Sequence, residues 1–169
     1  ELIRGDGSIT YFKNAQGKIE ERSEALGTAL TILFDIVNIE EALIMLRLHP
    51  LTEKGVALLN PFYENDSFYH NNSSWPFVER FYCMAYDKSG MPNDDFCEAL
   101  LARSCRSAIP HSGKKLLSER INEKEDDFTF HELTDYRDGS IRGSGSQLWS
   151  AAAFLGLCIK RYGMKKSNI

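Results

Sequence analysis

Two short segments of the chain carry the residue types that bind and cleave sugars. The first covers residues 69–76 and reads Tyr69-His70-Asn71-Asn72-Ser73-Ser74-Trp75-Pro76. Aromatic rings stack on the C–H face of a sugar ring, and amide or imidazole groups bond to its hydroxyls. We therefore interpret Tyr69, His70, Asn71 and Trp75 as candidate substrate-binding residues. The alternative is a loop held by its own Asn and Ser turns, with Trp75 packed into the core.

The second segment centres on Glu132, which follows the aromatic run Phe128-Thr129-Phe130 and precedes polar turn residues. We expect its carboxylate at the inner end of a helix that faces a cleft. An ionised carboxylate there can take a proton from water, so Glu132 is a candidate general base. The alternative is a surface glutamate beside a loop. Residues 143–146 match no phosphate-binding pattern, and we interpret them as a tight loop that lets Trp149 approach the cleft or the core.

Hydrophobic periodicity predicts that helices position both segments. Apolar residues recur at steps of three and four, which is the pattern of a helix with one buried face. The predicted helices cover roughly 20–37, 38–48, a weak 52–59, 76–88, 94–108 and 147–162. Residues 60–75 and 132–146 are predicted loops, and residues 114–127 a charged, solvated face or short helix. A strand at 9–12 and a turn at 14–17 add a short N-terminal β-hairpin.

Composition and charge exclude two classes of partner. The chain has 169 residues, of which 20 are basic and 24 acidic, and its net charge is −4. A general nucleic-acid binder needs a basic patch to neutralise phosphates, so we predict no nucleic-acid partner. No apolar run is long enough to span a bilayer, and we therefore predict no membrane partner.

The four cysteines are Cys83, Cys97, Cys105 and Cys158, and none forms a Cys-x-x-Cys pair. No histidine lies at zinc-ligand spacing from two of them, so we predict no metal site and no cofactor. Their neighbours are largely apolar, which favours small buried side chains on helix faces. Disulfides stay open as an alternative, because a chain of this length can build a core without them.

The two segments together resemble the motifs of one enzyme family. The matching parts are Tyr69-His70-Asn71 … Trp75-Pro76 and Glu132 … Gly143 … Gln147-Leu148-Trp149-Ser150-Ala151-Ala152. This pairing resembles the six-hairpin glycosidases, the glycoside hydrolases with an (α/α)6 toroid, and is most similar to bacterial members akin to family 63. Residues 22–27 also look like that group's Arg-x-Glu-x-Leu-Gly helix. Asn72 stands where the group usually has glycine.

The resemblance implies an all-α fold of antiparallel helical hairpins that form part of an (α/α)6 toroid. It implies hydrolysis of a glycosidic bond with inversion, in which Glu132 is similar to the general base. It also adds Gln147 and Trp149 to the candidate substrate-binding residues, and the implied partner is an oligosaccharide or a glycoside. The general acid of such enzymes lies in the first half of the toroid, which we do not expect within this chain.

Length points to the same division of the enzyme. A complete toroid needs about 300 residues. We therefore expect residues 1–169 to be a single domain that forms the C-terminal portion of a larger catalytic domain. The isolated chain is then expected to be inactive, with exposed helix faces covered by the missing half or by self-association. A polysaccharide-degrading bacterial enzyme of this kind is expected in the periplasm or outside the cell.

Three other functions stay open. A carbohydrate-binding or structural helical module would keep the fold and lack catalysis. A polysaccharide lyase or an epimerase on the same scaffold would use Tyr69 and His70 to abstract a proton. A helical interaction protein without a small-molecule site would bury both Trp75 and Trp149 fully.

Overall fold

The computed structural model describes residues 2–49, 51–52, 54–64, 69–108 and 130–163. Within these residues the chain forms five helices and nine short strands. The helices are α1 (Ala25–Leu33), α2 (Ile39–Leu48), α3 (Pro76–Lys88), α4 (Asp94–Ala108) and α5 (Leu148–Tyr162). The charged residues 114–127 lie outside the described residues.

Four of the predicted helices are confirmed, because local signals fix their ends. Asn38 caps α2 and forms a reciprocal capping box with Glu41, so two free backbone N–H groups find partners. Pro76 begins α3 at its first position, where the missing N–H costs nothing. Gly163 ends α5 in the left-handed conformation, with φ of 61°. Helix α4 has the predicted bounds.

Nine strands of two or three residues complete the fold. They are β1 (Phe12–Lys13), β2 (Ile19–Glu20), β3 (Ser23–Glu24), β4 (Leu51–Thr52), β5 (Gly55–Val56), β6 (Leu59–Asn60), β7 (Ser73–Ser74), β8 (Leu133–Asp135) and β9 (Ile141–Arg142). Among the described residues they pair antiparallel as β1–β2, β3–β6, β4–β5 and β7–β8–β9. The predicted N-terminal hairpin is present as β1–β2, with Phe12 opposite Glu20.

The all-α prediction, with its helical hairpins forming part of an (α/α)6 toroid, is wrong, because the described residues form a mixed α/β fold. The weak helix predicted at 52–59 is instead β4, β5 and β6. The loops predicted at 60–75 and 132–146 contain strands that pair with each other in the β7–β8–β9 sheet. Helix α1 starts later than predicted because β3 pairs with β6 just before it. Such pairs join distant segments and leave no periodic pattern in the sequence.

The main core lies between α1, α2, α3 and the strands. Helix α3 packs against α1 on one side and α5 on the other. The fully buried side chains there include Ala29, Met45, Val78 and Tyr82. A second cluster joins α3, α4 and α5 and contains Leu100 and Leu157. Both helix-packing surfaces therefore converge on α3, which begins directly after the aromatic segment 69–75.

Two of the cysteines form a disulfide inside the second cluster. Cys83 of α3 bonds to Cys97 of α4, and both are buried, while Cys158 takes no part in this disulfide. The ammonium group of Lys160, on α5, lies 3.3 Å from the sulfur of Cys97 and 2.6 Å from the carboxylate of Asp87. The expected burial of these two cysteines is confirmed, and the disulfide with the lysine contact ties three helices together.

A buried histidine, His49, links strand β3 to the end of α2. His49 is 2% exposed, its Nδ1 lies 2.9 Å from the Ser23 hydroxyl and its Nε2 lies 2.6 Å from the Ala57 carbonyl. Burial lowers the pKa of His49 to about 4, so the ring is neutral near pH 7. The neutral ring then accepts from Ser23 and donates to Ala57. This contact fixes β3 against the end of α2.

Several large apolar side chains lie on the surface of the described fold. The turn between α1 and α2 exposes 72% of Phe34 and 69% of Ile36. Apolar surface of this kind fits the expectation of a covering partner or of self-association, which stays a prediction. Among the described residues, no helix combines the length and the apolar character that crossing a membrane requires.

Candidate functional site

Glu132 lies directly before strand β8, not at the inner end of a helix as predicted. Its backbone N–H donates to the Ser144 carbonyl at 3.1 Å. Its carboxylate accepts from the backbone N–H of Ser144 at 3.1 Å and faces the Ser144 hydroxyl at 3.3 Å. The residue is 9% exposed. The loop before α5 therefore fixes both the backbone and the side chain of Glu132.

The hydroxyl of Tyr69 donates a further hydrogen bond to the Glu132 carboxylate. This bond lowers the pKa of Glu132, and the Ser144 donors and the nearby His70 act in the same direction against partial burial. Partial burial of the tyrosine hydroxyl and the neighbouring carboxylate raise the pKa of Tyr69 to about 12. Near neutral pH the pair is therefore a carboxylate and a protonated phenol.

Tyr69 begins a row of aromatic rings that leads away from Glu132. Its ring lies 5.0 Å from the Trp75 ring, edge to face, and the His70 ring lies 5.5 Å from Trp75. Phe77 follows at 5.9 Å from Trp75, and Trp149 at 6.1 Å from Phe77. We call these five residues the aromatic row. It brings together side chains from both of the segments that the sequence singled out.

The β7–β8–β9 sheet sets the distance between the two segments. Ser73 of β7 lies opposite Asp135 of β8, and the Tyr136 N–H donates to the Asn72 carbonyl at 2.6 Å. Asn72 has φ of 55°, a left-handed conformation that asparagine adopts more easily than most residues. The six-hairpin glycosidases that this segment resembles usually have glycine at the position of Asn72, and the left-handed backbone there is one that glycine adopts easily. Asparagine keeps that turn here.

Gly143 makes room for the Glu132 side chain. It has φ of 76°, and a Cβ built on it would lie 2.5 Å from a carboxylate oxygen of Glu132 and 2.8 Å from its Cβ. The sequence interpretation gave this loop the role of admitting Trp149, so the part played by Gly143 was missed. The available signal was a glycine in a polar turn before a helix. The Ser144 N–H is also taken by a carboxylate, which disfavours phosphate binding there.

Two of the predicted substrate-binding residues, Asn71 and Gln147, form hydrogen bonds within the chain. The Asn71 amide is buried, accepts from the Tyr63 N–H at 3.0 Å and donates to the Tyr63 carbonyl at 2.8 Å. The Gln147 amide donates to the Ser144 hydroxyl, and its backbone N–H donates to Phe130. Asn71 thus holds the segment at Tyr63, and Gln147 holds the loop before α5 that contacts Glu132. Their direct contact with a substrate stays a prediction.

The tryptophans differ in exposure. Trp75 is only 6% exposed and its indole N–H donates to the Ser73 hydroxyl at 2.9 Å. Trp149 is 46% exposed and Tyr69 is 49% exposed. Trp75 therefore supports the row from behind, as the core alternative described. Trp149 and Tyr69 offer ring surface to solvent.

Two other carboxylates near the site have fixed partners. Asp135 is held by Arg137 and Arg142, at 2.8 and 2.6 Å. The Arg137 hydrogen bonds are the main cause that lowers the pKa of Asp135 to about 2. Glu79 is 3% exposed and accepts from the Ser74 hydroxyl at 2.7 Å. Ionised and paired in this way, Asp135 does not suit a general acid.

Two cavities adjoin the aromatic row. One of about 390 Å³ is lined by residues that include Tyr69, Ser73 and Gly143. Since Tyr69 and Gly143 both contact Glu132, the carboxylate lies directly behind this cavity wall. A second cavity, of about 250 Å³, is lined by residues that include His70, Trp75, Phe77 and Glu24. Sequence analysis did not select Glu24 as a site residue.

The described residues contain no group of three or more His, Cys, Asp or Glu side chains that could hold a metal ion. The chain was also compared with known proteins. No protein family model matches it, and no curated protein sequence is significantly similar to it. The case for a function therefore rests on the geometry of Glu132 and the aromatic row.

Proposed function

We propose that this chain carries the general base and part of the sugar-binding surface of a glycoside hydrolase. The observation that carries the proposal is the Glu132 carboxylate, bonded by the Tyr69 hydroxyl at the end of the aromatic row. The proposal rests on this site and not on the overall architecture, because the fold is mixed α/β. The glycosidase resemblance of the two segments is in accord with it.

The protonation state of Glu132 suits a base. Its pKa is lowered, chiefly by the Tyr69 hydroxyl, so the group is an ionised carboxylate near pH 7. A carboxylate has roughly four lone-pair positions. The three donors from Tyr69 and Ser144 leave room for a water molecule that gives up its proton. Gly143 and Ser144 hold the group in one orientation, which lowers the cost of ordering it for reaction.

Two half-exposed rings provide surface for a sugar. Tyr69 and Trp149 stand at opposite ends of the aromatic row and present ring surface to solvent. Ring faces of this type pack against the apolar C–H side of a pyranose. The row behind them is rigid because Trp75 is bonded and buried. A sugar chain lying along it would pass beside Glu132.

In an inverting mechanism the Glu132 carboxylate removes a proton from water, whose oxygen attacks the anomeric carbon as the glycosidic C–O bond breaks. A separate carboxylic acid protonates the leaving oxygen from the other face of the sugar. We propose that this acid lies in another part of the full-length protein. The isolated chain is then inactive.

One observation favours hydrolysis over a lyase reaction. A lyase that used Tyr69 as its base would need the phenolate form of that residue. Burial and the neighbouring Glu132 raise the pKa of Tyr69 to about 12, so the phenolate is rare near pH 7. A carbohydrate-binding module without catalysis remains the second candidate, because the half-exposed Tyr69 and Trp149 would serve it equally well.

The test is the Glu132→Gln variant of the full-length protein, assayed on a panel of aryl glycosides and polysaccharides. We expect turnover to fall by about 10²–10⁴-fold with substrate binding retained. Azide, a nucleophile that needs no base, should then restore cleavage and give a glycosyl azide of inverted configuration. The matched control is Asp138→Asn, an exposed carboxylate in the same polar region, which should keep wild-type turnover.

Two results would contradict the proposal. Full turnover in Glu132→Gln would show that another group is the base. Binding of a polysaccharide without cleavage of any member of the panel by the wild-type protein would instead favour the binding module.

A further inference from the structure

The second cavity next to the aromatic row has one acidic wall. His70, Trp75 and Phe77 of the row line it together with Tyr11, and its volume is about 250 Å³. Among the described residues that line it, Glu24 is the one carboxylate. Drug-sized pockets begin at roughly 300 Å³. A cavity slightly below that size accommodates a single sugar ring.

The Glu24 carboxylate is held rigidly at this wall. One oxygen accepts from the Leu26 N–H at 3.0 Å, and the other accepts from the Gly27 N–H. A Cβ at Gly27 would lie 3.1 Å from the second oxygen, so glycine permits the close approach. Each carboxylate oxygen has about two lone pairs. One acceptor position therefore stays on each oxygen after the backbone bonds are made.

Glu24 is the N-cap of α1, and the two bonds from Leu26 and Gly27 are capping bonds. Ser, Thr, Asp and Asn are the usual N-cap residues, and the longer glutamate side chain also lines the cavity wall. Arg22 bonds to Glu20, and no salt bridge to Glu24 is present among the described residues. Burial raises the pKa of Glu24. Within the described residues this partly buried carboxylate has no salt bridge, and each of its oxygens keeps one acceptor position beside the cavity, which points to a ligand that supplies donors.

We propose that Glu24 binds two adjacent hydroxyl groups of a single pyranose ring that enters this cavity and packs against the aromatic wall. Two neighbouring O–H donors match the one acceptor position left on each carboxylate oxygen. The aromatic side chains cover the apolar face of the same ring. Glu24 is thus a specificity-determining residue. This inference rests on the proposed function, because it assigns one sugar unit of the substrate to a cavity beside the aromatic row.

The experiment measures binding of methyl glycosides of glucose, galactose and mannose to the full-length protein by calorimetry. For the glycoside that binds best, each singly deoxygenated analogue is compared with the parent. A hydrogen bond to a charged group is worth enough to weaken binding by about tenfold or more when it is lost. We expect two adjacent deoxy positions to show that loss in the wild-type protein.

The Glu24→Gln variant tests whether those two hydroxyls act through this side chain. Its amide nitrogen cannot accept, so binding of the parent glycoside should weaken about tenfold. At least one deoxy analogue should then lose no further affinity, because its partner is already gone. Asn38→Ala is the matched control, since it removes the cap of α2 away from the cavity and should lower stability while leaving the deoxy pattern intact.

Three outcomes overturn the inference. Failure of all three glycosides to bind removes the sugar site. Equal deoxy penalties in the wild type and in Glu24→Gln show that Glu24 acts only as a cap. Tighter binding of a 2-amino sugar than of every neutral glycoside shows that the carboxylate selects an ammonium group.

The two proposals can fail separately. A coupled deoxy pattern together with full turnover in Glu132→Gln keeps the sugar site and removes the base. Loss of turnover in Glu132→Gln without any Glu24 coupling does the reverse.

Discussion

Glu132 lies directly before strand β8 and Asp135 lies at its end, three residues later. Their surroundings nevertheless suit the two carboxylates to different roles. Both carboxylates have a lowered pKa. Neutral donors from Tyr69 and Ser144 cause the shift of Glu132, whereas two guanidinium groups, those of Arg137 and Arg142, hold Asp135. A carboxylate held by neutral donors keeps its negative charge available to a ligand. A carboxylate between two arginines is already neutralised.

The comparison shows that a lowered pKa does not by itself mark a catalytic group. Asp135 has its backbone pairing in β8, its side chain fully buried and both arginines on the adjoining turn and strand. It closes the turn that leads to β9. Glu132 instead faces a glycine and a tyrosine that line a cavity. The chemical type of the hydrogen-bond partners, and not the size of the pKa shift, therefore distinguishes a carboxylate that stabilises the fold from one that is available to react.

The largest effect on stability should come from Gly143, which leaves room for the Glu132 side chain beside the loop before α5. Gly143→Ala places a methyl group against the Glu132 side chain in a left-handed backbone. We expect a loss of about 2–3 kcal/mol in the free energy of unfolding, measured by urea denaturation. Turnover by the full-length protein should fall as well, because the carboxylate must move.

Gly139→Ala is the control, because it introduces the same backbone strain as Gly143→Ala without a steric contact. Gly139 has φ of 74° and open space where a Cβ would lie. It should therefore lose only about 1 kcal/mol. Equal losses in the two variants would contradict the close fit between Gly143 and Glu132.

Removal of the Asp135 charge should affect stability and leave the chemistry in place. Asp135→Asn leaves two arginines without their shared partner, and since both are half-exposed we expect a loss of about 1–2 kcal/mol. Turnover should stay within a few-fold of wild type. A loss of turnover as large as that of Glu132→Gln would end the distinction between the two carboxylates.

The pH dependence gives the sign of the Asp135 effect. Its pKa is about 2 in the folded chain and 3.8 without these contacts. The stabilisation is therefore complete above about pH 4 and is lost as the pH falls through 2. The unfolding midpoint of Asp135→Asn should thus approach that of wild type in acid.

The smallest effect should come from the Tyr69 hydroxyl. Tyr69→Phe removes the bond that contributes most to the lowered pKa of Glu132, so that pKa should rise. The acid limb of the kcat/KM profile should then move to higher pH. Tyr136→Phe is the control, because the Tyr136 hydroxyl bonds to Thr52 instead. An acid limb that stays at the same pH in Tyr69→Phe would show that the group titrating there is not Glu132.

Local signals in the sequence were sufficient for most helices. The Asn38 cap, Pro76 and the stop at Gly163 depend on neighbouring residues, so α2, α3 and α5 were predicted near their observed bounds. The N-terminal hairpin was predicted, whereas β3, β6, β7 and β8 were missed because each has two or three residues and pairs with a strand far along the chain. The all-α prediction failed for that reason.

The site was predictable in residue type and less so in hydrogen bonding. The sequence singled out both Tyr69 and Glu132, and the structure joins them by a hydrogen bond. The loop-holding bonds of Asn71 to Tyr63 and the capping bonds of Glu24 depend on backbone groups that no spacing rule identifies. The residue types thus indicated a chemistry, while the roles of individual polar groups required coordinates.

The register between β7 and β8 has a consequence for how this region tolerates changes in length. Ser73 faces Asp135 and Ser74 faces Thr134, with Leu133 buried beside them. A slip of one residue would turn every side chain of β8 to the opposite side of the sheet. Deletions or insertions between Glu132 and Asp135 should therefore break the β7–β8 pairing and move Glu132 away from the Ser144 donors.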